Sequence, residues 1–355
     1  MKIADIQVGV VEAPLITPFK TALRTVDNIR NIAIYIYTDD GHIGVGEAAP
    51  TAVITGETSA SISHAITEFI KPAIVGMDIE EIAAIMERME KSIVKNTSAK
   101  AAVDMAIYDL YAKHYKTPLY KLLGGYRKEL ITDITISVND VDEMVKDSLS
   151  AVERGFNILK VKVGKDPIGD IERVIAIREA VGPNTTLRVD ANQGWTPKQA
   201  VRIIGALEDA NTNIELVEQP VHSSDIEGMR YVTSNTLTNI LADESVFSPK
   251  EAIMLIEKRA ADLINIKLMK TGGIYQAQKI VHIAEANGIE CMIGCMLETK
   301  ISVSAAAHFA ASQKNITMID LDGPLLCMND PVIGGPTFNG QIITMSSEPG
   351  IGFSL

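Results

Sequence analysis

The sequence predicts an α/β protein: a (β/α)7β TIM-like barrel with an α+β capping domain formed by the N-terminal third and the C-terminal tail. Three observations carry this. From about residue 134 onward, eight short apolar stretches alternate with amphipathic ones; a charged residue ends most of those stretches; and the first third has a different texture, long alternating strands followed by helices. The expected division is 1–125 for the cap, joined by the tail 323–355, and 126–322 for the barrel.

In the cap, period-two alternation predicts strands near 2–12 and 30–38, a turn at Asp39-Asp40-Gly41 and a returning strand from His42 to Gly46. Helical spacing of apolar residues follows over Ser59–Ile70, Ile79–Ser92 and Ser98–Lys113, and Pro118 with Gly124-Gly125 closes the unit. Barrel strands are expected near 134–138, 158–163, 186–190, 214–217, 239–242, 263–268, 290–294 and 317–321. Helices are expected between them near 141–154, 167–181, 197–210, 224–233, 249–258, 273–287 and 299–312. No helix follows the eighth strand. The stretch "DGPLLCMNDPVIGGPTFNG" is rich in Pro and Gly, so the tail should leave the barrel and finish in strands against the N-terminal unit. An open doubly wound sheet would want a Gly-rich phosphate turn after its first strand, and none occurs there.

A net charge of −12 over 355 residues argues against nucleic acid or an anionic membrane as partner, since either needs a basic face. A small molecule is the expected partner. Cys291, Cys295 and Cys327 are an odd, sparse set that suits a reducing compartment, and neither a second pair nor a histidine cluster completes a zinc site. No leader-like or bilayer-length apolar run occurs, so a cytoplasmic location is expected.

Function in such a barrel collects at the C-terminal ends of the strands. Those ends read "LKVKVG" with Lys160 and Lys162, "LRVDANQGW" with Asp190, "IELVEQP" with Glu218, "NILADES" with Asp243, "INIKLMKTGG" with Lys267, and "MIDLDGP" with Asp320 and Asp322. From Lys162 to Lys267, each rung lies about one βα unit from the last. Asp190, Glu218 and Asp243 fall on three consecutive strands, and three carboxylates without histidine or thiolate are hard ligands suited to Mg²⁺. Lys160 and Lys162 precede the trio and Lys267 follows it, so amines flank the metal, and the trio with its bound anion compensates the Lys160/Lys162 pair. That arrangement suits removal of a proton from the carbon next to a metal-bound carboxylate, the enediolate being stabilised by the cation and by Lys160. A lysine base should have its pKa pushed down by its like-charged neighbour and the metal. Taken singly each rung has a plainer reading: Asp243 as a helix cap, Lys267 as a snorkelling side chain, Asp320 and Asp322 as solvated charges.

On these residues the chain resembles the enolase superfamily, in its muconate-lactonising-enzyme subgroup, over essentially its whole length. Within that subgroup "PFKTALRTV", "TAVITGET", "DANQGW", "VEQPV", "ADESVF", "INIKLMKTGG" and "DLDGP" are similar to the dipeptide epimerases, whose best-known members act on L-Ala-D/L-Glu. The resemblance implies a Mg²⁺-dependent isomerase in which Lys162 and Lys267 serve opposite faces of the α-carbon of the C-terminal residue and Lys160 holds the carboxylate. It further implies that Asp320 and Asp322 bind the dipeptide's α-ammonium and that Thr135, Cys295 and Leu297 line the substrate, with Cys295 a wall and no nucleophile. Arg24, in the loop "TPFKTALRTVDN" expected over the barrel mouth, would pair with the side-chain carboxylate of a C-terminal Glu, or else be one more solvated charge. A hydrophobic dipeptide is the near alternative. A lyase or cycloisomerase of the o-succinylbenzoate synthase or muconate cycloisomerase type is the second class, disfavoured because Asp320 and Asp322 repel a dicarboxylate; a non-catalytic ligand-binding barrel is the third. Assembly into a homo-oligomer is expected, of unfixed subunit number. The six histidines are expected away from the strand ends, with His308 facing packing or solvent. Trp195 is open between mouth and packing, and Gly272-Gly273 reads as a helix start before an anion-binding turn.

Overall fold

A computed structural model describes residues 1–353. β1 (Ile3–Lys20), β2 (Thr25–Thr38) and β3 (Ile43–Ala48) pair antiparallel in sequence order, and the Asp39-Asp40-Gly41 turn joins the last two. β1 and β2 run well past the expected 2–12 and 30–38. Phe19 pairs with Val26 and Lys20 with Thr25, so the segment expected as a loop is the far end of a long hairpin. Its residues beyond Pro14 show no strict alternation, which is why periodicity does not reveal it. Docking on the barrel fixes it instead: the Lys20 backbone N–H donates to Ser137 Oγ at 3.1 Å, and Val138 N–H donates to the Lys20 carbonyl at 3.2 Å.

The expected helix over 59–70 continues as α, π and α turns from Ser59 to Ile74, opened by a Thr58/Ser61 capping box. Helix Ile82–Ser92 follows, then Thr97–His114, which is buried on nearly every side and lies on β3.

After β4 (Glu129–Ile131), the chain enters the barrel through β5 (Ile134–Ile136), β6 (Ile158–Lys162), β7 (Thr186–Asp190) and β8 (Leu216–Glu218). It continues through β9 (Asn239–Ala242), β10 (Leu263–Lys267), β11 (Cys291–Gly294) and β12 (Ile316–Asp320). These eight strands form one parallel sheet in sequence order. The ring closes where Thr132 bridges Ile319 and Asp133 N–H donates to the Ile319 carbonyl at 3.2 Å. The seven expected helices span Val141–Glu153, Gly169–Val181, Pro197–Asp209, Ile226–Ser234, Pro249–Lys258, Ile274–Ala286 and Lys300–Ser312, close to their expected places, and a one-turn helix Leu268–Thr271 follows β10 directly. Asp140, Thr196, Asp225, Ser248 and Thr299 cap five of them through their side chains, the local signal that makes these starts readable.

The tail departs from expectation only in its strand pairing. β13 (Thr337–Asn339) and β14 (Ile342–Thr344) pair with β4, as a sheet ordered β13-β14-β4, and not with the β1–β3 sheet. Exposed Ile131 and Ile342 give β4 and β14 no amphipathic period against the cap, so the register of Ile342 on Ile131 is a tertiary choice. The tail does lie against the N-terminal unit through isolated bridges: Cys327 pairs with Leu15 and Gly350 with Pro118, Met328 N–H donates to the Pro14 carbonyl at 2.8 Å, and Ile351 N–H donates to Asp109 Oδ1 at 2.9 Å. Among the described residues no helix is long and apolar enough to cross a membrane.

Strand alternation layers the barrel interior. Leu216, Leu241, Leu263, Met292 and Met318 form an apolar cluster of their own. Two residues further along the chain come Glu218 on β8, Asp243 just past β9, Asn265 on β10 and Asp320 on β12, a polar layer above an apolar floor.

Candidate active site

The polar layer is built from the strand-end charges, all of them buried. Lys160 Nζ lies 2.6 Å from Glu218 Oε2, 2.7 Å from Asp320 Oδ2 and 3.3 Å from Asp190 Oδ2. Lys162 Nζ meets the same Asp190 oxygen at 2.5 Å. Both lysines of "KVK" therefore find their counter-charge on neighbouring strands. Lys267 Nζ lies 2.7 Å from Asp243 Oδ2 and 4.0 Å from Glu218 Oε1. β11 leaves room for it: a Cβ on Gly294 would stand 2.9 Å from Lys267 Cε and 3.0 Å from Asn265 Oδ1.

Burial opposes the charge on Lys160 and Lys267, but Asp320 and Glu218 around the first, and Asp243 beside the second, outweigh it and hold both ammoniums above the usual lysine range. For Lys267 the carboxylate that faces its ammonium directly outweighs the lowering effect of its like-charged neighbour Lys160. Burial and the nearby Asp190 push Glu218 up to about 7. Asp243 goes the other way: burial would raise it, yet Lys267 and Lys270 together hold it below the carboxylate range.

A cavity opens above this layer, about 610 Å³ including its solvent-filled mouth. Lys160, Lys162, Asp243, Lys267, Asp320, Asp322, Thr135, Cys295, Leu297 and Arg24 all line it, whereas Asp190 and Glu218 do not and reach it through Lys160 and Lys162. β6 and β10 stand four places apart in a ring of eight, so Lys162 and Lys267 enter from opposite walls. Asp320 ends β12, while Asp322 lies past the strand and accepts a 2.7 Å hydrogen bond from Thr135 N–H. Burial and Asp320 raise Asp322 to about 6; for Asp320, burial is outweighed by Lys160 and Lys267, leaving it near 2. Burial and Glu298 push the Cys295 thiol far up, as suits a wall.

The trio of Asp190, Glu218 and Asp243 reaches one mouth, yet among the described residues no three acidic, histidine or cysteine side chains close up as a metal-holding group. Ammonium groups stand between the carboxylates: Lys160 joins Asp190 to Glu218, and Lys267 joins Glu218 to Asp243. The donor chemistry still fits Mg²⁺. Every candidate is a hard oxygen, and buried oxygens without a hydrogen-bond partner, Asn192 Oδ1, Glu244 Oε2 and Asn265 Oδ1, collect around the trio.

Several site residues escape the strand-end reading. Lys270, fully buried one helical turn after Lys267, sets its Nζ 2.6 Å from Asp243 Oδ1 and donates to the Asn265 carbonyl at 2.9 Å. Asn265 Nδ2 donates to Glu218 Oε1 at 2.7 Å. Gln219, at φ 37°, accepts from Asp243 N–H at 2.9 Å and so ties β8 to β9. Gln219 and Lys270 stand inside the quoted motifs, but nothing in a linear spacing shows that they turn inward. The cap adds Val53 and Ile54 from the loop after β3. Trp195 packs, its Nε1 donating to Asp170 Oδ2 at 3.0 Å. His308 is fully buried and accepts from Tyr120 N–H at 3.0 Å, so it packs and does not face solvent. Gly273 starts a helix whose first amides bond Asp104, leaving no place for an external anion.

A closed barrel whose mouth holds opposed lysines over a floor of carboxylates is an acid/base enzyme of the barrel class. Comparison with known proteins refines this. Residues 143–355 match the enolase C-terminal domain-like family and residues 5–124 the N-terminal domain of mandelate racemase / muconate lactonizing enzyme. The chain is 54% identical over 352 residues to the L-Ala-D/L-Glu epimerase of Clostridium acetobutylicum, covering 99% of this chain and 98% of that one. Its fold superposes with a TM-score of 0.98 on a substrate-liganded complex of the L-Ala-D/L-Glu epimerase from Bacillus subtilis, at 50% identity, covering 99% and 98% of the two chains. A dipeptide epimerase of Enterococcus faecalis, solved with Mg and L-Leu-L-Tyr, superposes at 0.97 with 46% identity and full coverage of both chains. The protein belongs to the enolase superfamily, in its muconate-lactonizing branch. Its activity is that of an isomerase of the racemase/epimerase type, which sets aside the non-catalytic barrel.

Proposed function

We propose that the chain is a Mg²⁺-dependent epimerase of L-Ala-D/L-Glu and like dipeptides, inverting the α-carbon of the C-terminal residue. The observation that carries the chemistry is the entry of Lys162 and Lys267 from opposite walls into one cavity. A proton taken by one amine from an α-carbon held between them is returned by the other to the opposite face, which inverts the centre. Lys160, at the floor, holds the substrate carboxylate and the charge that develops on it. Asp190, Glu218 and Asp243 would hold Mg²⁺, which when bound supplies further polarisation of that carboxylate.

Asp320 and Asp322 recognise the α-ammonium. Since Asp320 already pairs with Lys160, the incoming ammonium shares or replaces that contact. The acidic substrate is favoured over the hydrophobic one by Arg24: its guanidinium faces the cavity and, among the described residues, has no carboxylate partner and no side-chain hydrogen bond. Burial lowers its pKa, so a carboxylate would relieve a standing cost. Residues 1–125 with the tail 323–355 act as the cap and 126–322 as the catalytic barrel, a division supported by the cavity's mixed lining. The three unpaired thiols support a reducing, cytoplasmic location.

The test is loss of the α-hydrogen signal of L-Ala-L-Glu and L-Ala-D-Glu by NMR in D₂O with Mg²⁺. Exchange with inversion is expected for wild type, and loss of inversion for Lys162→Ala and Lys267→Ala. No exchange from any dipeptide would sink the proposal, as would comparable turnover of muconate or of an o-succinylbenzoate precursor.

A further inference from the structure

Glu47, near the end of β3, is fully buried, and among the described residues no lysine, arginine or histidine pairs with it. A carboxylate in that position demands hydrogen-bond donors. It has four. Oε1 accepts from Asn31 Nδ2 at 2.6 Å and from Thr299 N–H at 2.9 Å; Oε2 accepts from Thr299 Oγ at 2.7 Å and from Ser302 N–H at 3.1 Å. Three of these come from the first turn of the barrel helix Lys300–Ser312 and its cap, so a side chain of the N-terminal unit sits on the positive end of a barrel helix. Asn31 spends its second amide hydrogen on the Leu297 carbonyl at 2.9 Å.

The segment so held is the cavity wall. Cys295, Met296 and Leu297 line the site, and Leu297 also packs on Ala13, Leu15 and Ile29 of the β1–β2 hairpin. Asn31 and Glu47 do not themselves line the cavity and do not pair with the lysines, yet they fix the backbone that carries three lining side chains. We infer that Asn31 and Glu47 form an interdomain pin, a pair of positioning residues that set the Cys295–Leu297 wall and through it the side-chain preference of the site. Which dipeptide side chains that wall sorts rests on the epimerase reading; the pin itself does not. Physically, an amide that bonds both a buried carboxylate and a main-chain carbonyl holds the wall at a fixed height above the lysines, and a wall free to shift by a fraction of an ångström discriminates less well.

Two measurements on full-length Asn31→Leu and Glu47→Gln test this, with Asn31→Ser as the milder variant should either fail to fold. In hydrogen–deuterium exchange by mass spectrometry, the peptide spanning 296–302 should exchange at least tenfold faster, while peptides over β7 and the helix 197–209 keep the wild-type rate. In kinetics, the ratio of kcat/KM for L-Ala-L-Glu over L-Leu-L-Tyr should change at least fivefold, through KM, with kcat for the better substrate within threefold. Unchanged exchange at 296–302 overturns the pin, as does acceleration spread over the whole chain. Local acceleration with an unaltered selectivity ratio overturns the positioning role. A wild type inactive on every dipeptide defeats the epimerase reading, and the pin is then upheld or overturned by the exchange pattern alone.

Discussion

Replacing Lys270 by methionine isolates a residue that the strand-end reading passes over. Lys270 is fully buried, and its Nζ serves the Asp243 carboxylate and the main-chain carbonyls of Asp243 and Asn265. Methionine keeps the length of the stem and removes every donor. Breaking a buried ion pair by truncating one partner costs roughly 3–5 kcal/mol, and orphaned carbonyls add about 1–3 kcal/mol each, less than additively. Two terms pull this back: Asp243 keeps Lys267 at 2.7 Å, and the buried ammonium no longer has to be desolvated, a burden visible in its lowered pKa. A net loss of about 3 kcal/mol results. With an unfolding entropy of about 2.1 cal/mol/K per residue, a chain of this length should melt about 4 °C lower by scanning calorimetry. Lys300→Met, which breaks the partly exposed Lys300–Asp330 pair, should change it by less than about 1 °C. Because Lys270 orients Asp243, Mg²⁺ affinity by titration calorimetry should also fall about 10–100-fold. Equal melting temperatures for Lys270→Met and wild type, or an unchanged Mg²⁺ affinity, would refute the assignment of Lys270 as the support of Asp243.

Two other outcomes follow from the same physics. Gly273 has φ 111°, and a Cβ there would stand 2.2 Å from Asp104 Cγ; Gly273→Ala should cost about 3 kcal/mol from strain and displacement of Asp104, read as a melting point about 4 °C lower, and an unshifted melt would contradict it. Burial depresses His308 from 6.5 to about 3. The unfolded chain therefore binds a proton that the folded one refuses, so this stability is complete above about pH 6.5 and declines by about 1.4 kcal/mol per unit as the pH falls toward 3. Thermal melts of wild type should lose stability between pH 7 and 5 more steeply than those of His308→Asn, and parallel curves would count against the argument.

Much of this molecule is written locally. Eight apolar runs between capped helices specify a barrel because a strand buried on both faces must be apolar throughout, and a charge at its end has only the mouth to occupy. Lys160, Lys162, Asp190, Glu218, Asp243 and Lys267 were legible for that reason. Contacts made by residues far apart in the chain were not. The hairpin beyond Pro14, the pairing of the tail with β4 and the meeting of Asn31 and Glu47 with the wall at Leu297 depend on partners more than a hundred residues away, and no local period encodes them. The ionic state of the site belongs to the same class. The charge on Lys267 is set by which oxygens the closed ring places within 3 Å, a property of distance in space and not of spacing along the chain.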